Sequence, residues 1–188
     1  MNRPCLAETY STDTGFSSEP ALGGITCFQL FVGNTSLRTA VHGMQTEDQG
    51  PDALEDFVRD NGAPYCIKND NSKMQTSKAW SKVCRKYNMA EQNTEPGHAH
   101  QNKAERRMQD VKRNTSRIMD HTGAPSYLWF YCMLYVVMLL NSCACESLNW
   151  MTPNFVGLGK VDDISNLLQY TFYEPVYFAK DEAFLKKL

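Results

Sequence analysis

Residues 103–118, KAERRMQDVKRNTSRI, place Ala104, Met108, Val111, Thr115 and Ile118 at i, i+4, i+7, i+11 and i+14. That is the apolar stripe of an amphipathic helix, and the periodicity predicts one helix over about 102–120. Glu105 borders the stripe, and Gln109 and Lys112 continue its face at i+4 and i+7. Arg106 and Arg107 point about 100° and 200° away from it, and Arg107 reads as a solvated charge. Two roles fit Glu105. The spacing Asn102-x-x-Glu105 is that of a capping box. An acid backed by an amide and an amine at a core boundary also suits a groove that handles an anionic polymer.

Upstream of this helix the chain alternates strand and helix. Residues 9–14 and 26–32 are β-prone around the turn Gly23-Gly24, and a weaker third strand is expected at 37–41. Gly50-Pro51 opens a helix that Asn61-Gly62 closes. A short strand at 65–68 runs into the turn-like Asn69-Asp70-Asn71-Ser72; Thr76 or Ser77 caps a helix through 87, and a last short strand falls within 88–94. Downstream, Gly123-Ala-Pro125 breaks the long helix, an apolar helix covers 127–142, and the tail mixes loop, a short helix and a possible strand. The order βββαβαβαα predicts an α/β protein with one mixed sheet of about five strands flanked by helices.

At 188 residues, 42% of them hydrophobic and 21% charged, the composition is globular with room for one sizeable core. The apolar run at 127–140 is 14 residues, short of the roughly 20 a membrane span needs, so no membrane partner is expected. The first residues lack the apolar segment of a secretory signal, and seven cysteines without a Cys-x-x-Cys pair read as free thiols of an intracellular protein. A net charge of −2 hides an asymmetry. Residues 1–60 hold three Lys/Arg against nine Asp/Glu, residues 61–120 twelve against six, and residues 121–188 four against six. The basic middle third is a candidate phosphate-binding surface, or a set of solvated helix faces.

Taken singly, Asp13 in YSTDTG and Asp70 in KNDNS are ordinary strand and turn residues. Taken with Glu105, 35 positions after Asp70, they make a strand acid, a strand-end acid and a helix acid, a donor set suited to two hard cations that bridge to phosphate.

The stretches YSTDTG, CFQLFVG, GPDALEDFVRDNGAP, KNDNSKMQ, HQNKAERRMQDVK and the tail from SLNWMTPNF to YTFYEPVYF resemble the integrase core of copia-type long-terminal-repeat retrotransposons, within the wider retroviral integrase group. The resemblance runs from about residue 9 to 178. It implies a ribonuclease H-like fold, with the catalytic core at 1–125 and an apolar helix and post-core tail at 126–188. It implies that Asp13, Asp70 and Glu105 form the acidic triad that binds two Mg²⁺ or Mn²⁺ ions and catalyses phosphoryl transfer on DNA. That chemistry is 3′-end processing followed by strand transfer. Asn71, Gln109, Lys112 and Arg113 are the matching candidates for DNA contact. The partners implied are the element's double-stranded cDNA ends and target DNA, with a homo-oligomer as the active form and the nucleus as the place of action.

The chain departs from the family in showing no His/Cys module before Asp13 and no basic C-terminal region, so no zinc is expected, and His98 and His100 read as loop residues. Two other functions fit the same residues: a ribonuclease H-type nuclease, and a catalytically inactive or host-adopted module that binds DNA or protein.

Overall fold

The computed structural model describes residues 5–70, 75, 77–93 and 103–177. Five strands, β1 (Cys5–Ala21), β2 (Ile25–Gly33), β3 (Thr39–Met44), β4 (Ala63–Asn69) and β5 (Ala90–Asn93), form one mixed sheet in the order β3-β2-β1-β4-β5. β1, β2 and β3 run antiparallel in succession, while β4 pairs parallel to β1 and β5 parallel to β4. Among the described residues six α-helices accompany them: α1 (Gly50–Asn61), α2 (Lys78–Lys86), α3 (Lys103–Thr122), α4 (Trp129–Ser142), α5 (Pro153–Leu158) and α6 (Ser165–Gln169). The α/β order read from the sequence is the order found.

Local chemistry sets the boundaries. Pro51 sits in the first turn of α1, and Gly62 ends the helix at φ 104°, a conformation that favours glycine. Ser77, not Thr76, caps α2 by accepting from the Trp80 amide at 3.2 Å. β3 begins later than the sequence suggests. Leu37 adopts φ 58°, and its amide bonds back to the Gly33 carbonyl at 3.0 Å, so residues 34–37 turn and pairing resumes only at Thr39. β1 is also longer than the expected 9–14, because its far half stays paired to β2 as far as Phe16 and, after a register shift, at Ala21. In the described tail no strand forms beyond an isolated bridge between Cys145 and Met151.

Each face of the sheet buries its own core. Tyr10, Phe31 and Ile67 pack with Leu54, Phe57 and Trp80 beneath α1 and α2, where the Phe31 and Phe57 rings stack at 4.4 Å. Phe28, Leu30 and Val32 pack with Ala104, Met108 and Val111 of α3 and with Met133, Val136 and Val137 of α4. The stripe predicted on α3 is therefore its buried one, with Ile118 only partly covered. α4 is further tied to the sheet by Asn141, a buried side chain that accepts from the Thr39 amide at 2.8 Å and donates to the Thr39 carbonyl at 2.7 Å. Among the described residues no helix is long and apolar enough to cross a membrane.

Candidate functional site

Strand register decides where the acids go. Directly paired residues of neighbouring strands share a sheet face. Thr12 pairs with Phe31 on the α1 side, so Asp13, paired with Leu30, looks toward α3 and α4. Along the parallel pair, Ser11 stands opposite Lys68, an offset of 57; carried two residues further, the offset sets Asp13 level with Asp70, just past the end of β4. Glu105 lies in the first turn of α3, the helix that covers this face.

The Asp13 carboxylate is half-buried, and one oxygen accepts from the Thr14 amide at 2.8 Å. Burial pushes its pKa above the usual 3.8; the Thr14 amide opposes this, the charges of Asp70 and Glu105 push it higher, and Lys112 opposes again. Asp13 thus lies within electrostatic reach of Asp70, Glu105 and Lys112. Asp70 is exposed, and its amide donates to the buried Gln75 side chain at 2.6 Å. Among the described residues, however, no three His, Cys, Asp or Glu side chains close on a single metal position. The donor chemistry fits a hard cation, since all three are oxygen acids, and ions would have to draw them inward.

Lys112 is exposed on the Glu105 side of α3, its ammonium 5.8 Å from the centre of the Phe28 ring. Phe28 pairs with Gly15, two residues from Asp13, and a methyl at position 15 would lie 2.3 Å from the Phe28 ring edge. Gly15 is thus a site residue that sequence reasoning missed, although it stands in the YSTDTG stretch. Gln75 was missed as well. Behind Asp13, Thr14 donates to Gln29 at 2.7 Å, Gln29 to Thr12, and Thr12 to the Leu30 carbonyl at 2.9 Å, which fixes the β1 backbone where the acid emerges.

The remaining candidates divide. Gln109 is exposed on α3, and Arg113 is exposed but pairs with Asp110 one turn away. Asn71, His98, His100 and Asn102, the residue whose spacing suggested a capping box, lie outside the described residues. Arg107 corrects the sequence reading. It is half-buried rather than solvated and donates to the Leu37 carbonyl at 3.0 Å, because the left-handed turn at Leu37 presents that oxygen to α3. Burial pushes its pKa down, against the attraction of Asp110 and Cys145.

No protein-family model matches the chain, and no curated protein matches its sequence. Solved structures do. The magnesium complex of the HTLV-2 integrase catalytic core domain superposes with a TM-score of 0.63 at 15% identity, covering 81% of this chain and 97% of the viral one. The catalytic core domain of BIV integrase gives 0.65 at 13% identity, over 88% and 99%. The simian T-cell lymphotropic virus intasome, bound to the B56 gamma regulatory subunit of PP2A, gives 0.67 at 13%, over 96% of this chain and 61% of the matched one. The fold is that of retroviral integrase catalytic cores, a ribonuclease H-like α/β fold.

Proposed function

We propose that this chain is the integrase core of a copia-type retrotransposon, a metal-dependent phosphoryl transferase that processes the 3′ ends of the element's DNA and joins them to target DNA. The observation that carries the reading is Asp13, half-buried, level with Asp70 by register, and pushed up in pKa first by burial and further by the charges of Asp70 and Glu105. Without oxygen-seeking cations that arrangement is self-repelling, which is how a carboxylate site for hard ions behaves when empty of charge. Two Mg²⁺ or Mn²⁺ ions held by Asp13, Asp70 and Glu105 would supply charge stabilisation to the attacking and leaving oxygens of an in-line displacement.

The chain's own residues do the rest. The Thr14 amide holds one Asp13 oxygen, leaving the other free to turn toward Glu105. Lys112, seated over Phe28, stands where it can take a backbone phosphate beside the acids, and Gln109 lies on the same helix face. Arg113 and Asn71 are assigned to the DNA path by the resemblance to copia-type cores. In this reading residues 126–188 are the post-core segment, the active form is a homo-oligomer, and the site of action is the nucleus.

Incubation with a branched DNA intermediate and Mg²⁺ or Mn²⁺ tests the assignment. Joining or disjoining of strands that depends on metal and is lost in Asp13→Asn, Asp70→Asn and Glu105→Gln is the expected result. Cleavage without strand joining would favour a ribonuclease H-type nuclease. A second reading rests on the acids not closing on one metal position among the described residues: a module that binds DNA without reacting. It requires metal-independent affinity and no cleavage under any divalent ion.

A further inference from the structure

α3 has two working flanks. Glu105, Gln109 and Lys112 line one side of its buried stripe; Lys103, Arg106, Arg107 and Asp110 lie on the other. On this second flank a cavity of about 420 Å³ opens between α3, the turn before β3 and the start of the tail, with Lys103, Arg106 and Arg107 in its wall and Cys145 and Ser147 opposite them.

The charges in this cavity do not balance. Arg107 is half-buried, and it donates to a neutral carbonyl, that of Leu37. Lys103 likewise donates to a carbonyl, that of Asn34, at 2.6 Å. Arg106 makes no hydrogen bond or ion pair among the described residues. The one acid in the wall, Asp110, is engaged by Arg113 on the outer surface. Withdrawing a guanidinium from water is costly unless an anion faces it, so three cations around a hollow whose one described acid, Asp110, is shared between Arg107 and Arg113 describe a site that favours a further anion. The guanidinium groups offer planar forks of N–H donors, a geometry matched to phosphate oxygens. The Cys145 thiol is held below its usual pKa mainly by its hydrogen bond with Ser147, with burial opposing and Arg107 adding a smaller pull.

We propose that this cavity is a phosphate-binding site formed by Lys103, Arg106 and Arg107, separate from the Asp13 region. Its ligand is a phosphate group, carried either by a nucleic-acid backbone or by a small free phosphorylated molecule. The proposal holds whether or not the acidic trio supports metal chemistry, and its test uses neither metal nor catalysis.

Cys145 supplies the readout. In a Cys143→Ser background, which leaves Cys145 the sole thiol of its segment, alkylation by neutral iodoacetamide is followed by peptide mass spectrometry. Inorganic phosphate is titrated against chloride at matched ionic strength. Phosphate is expected to slow Cys145 alkylation saturably and to raise the thermal midpoint, whereas chloride does neither. Lys103→Gln with Arg106→Gln should raise the half-protecting concentration about tenfold, the effect of losing charge-assisted contacts at two positions. Arg117→Gln, outside the cavity, should leave it unchanged. A short DNA duplex and a free nucleotide form the two further arms. Protection by the duplex at lower phosphate-equivalent concentration than the nucleotide assigns the backbone source, and the reverse assigns the free one. Phosphate protecting no better than chloride, or protecting the double variant as well as the parent, overturns the proposal. So does protection by duplex alone with none from phosphate, since simple coverage of the surface would then suffice.

Discussion

Asp13 and Leu30 are direct cross-strand partners, and that pairing turns the carboxylate toward α3 rather than toward the aromatic core beneath α1. One residue of slip between β1 and β2 would exchange Asp13 for Thr12 on that face. The register of two strands is therefore what delivers an acid to within electrostatic reach of Glu105.

Asp13→Asn should stabilise the metal-free protein at neutral pH. The folded pKa lies above the unfolded value near 3.8, so this group's stability contribution is fully present below that value and lost as pH rises through the folded one. Thermal melts without divalent ions should show the variant a few degrees higher at pH 7 and no higher near pH 3. Mg²⁺ at about 100 times its dissociation constant should stabilise the parent by roughly 2.7 kcal/mol and the variant by much less. Equal Mg²⁺ gains in both would mean that the ion binds elsewhere.

Gly15→Ala should destabilise by about 1–3 kcal/mol, because the new methyl must displace the Phe28 ring from a packed face. Combining it with Phe28→Leu should cost less than the sum of the two single changes. Strict additivity in urea titrations would disprove the clash.

His42 predicts the acid limb of stability. Burial against Phe31 and Phe57, with ring centres 5.9 and 6.3 Å away, pushes its pKa below 6.5; Asp60 and Asp56 pull it back up and Arg59 opposes them. Stability from this residue is present above the unfolded value and lost as pH falls through the depressed folded one. His42→Gln should flatten that part of the profile as pH falls below about 6.5, whatever its cost at pH 8. An unchanged slope in denaturant melts across that window would sink the assignment.

Lys112→Ala should weaken DNA binding about equally across sequences and lower the salt slope by about one unit, as loss of a phosphate contact does. Arg107→Gln should act differently. It removes a half-buried hydrogen bond to the Leu37 turn and should reduce thermal stability by about 1–2 kcal/mol even where no nucleic acid is present. Fluorescence anisotropy against salt, beside melts of both variants, separates the two effects.

Helix periodicity made α3 legible from the residues, since a buried stripe is a local record of a tertiary face, and the continuous apolar run at 127–140 did the same for α4. The spacing that groups Asp13, Asp70 and Glu105 spans whole elements, and of that grouping the strand register gives the level placement of Asp13 and Asp70. Arg107 was misread for the converse reason: its partner is a backbone oxygen exposed by a left-handed turn 70 positions earlier, and no pattern within α3 encodes that. Gly15 was overlooked because a glycine in a strand records a neighbour's bulk, and that neighbour, Phe28, becomes adjacent only once register is known.

The Asn141 side chain joins both main-chain groups of Thr39 across 102 positions of sequence. β3 is an outer strand, and unpaired outer strands recruit other chains. During vectorial synthesis Thr39 leaves the ribosome long before Asn141, so the start of this strand stays uncapped until nearly all the core has emerged. A nascent chain stalled or cut before α4 would leave the start of that edge open to its neighbours on the same message.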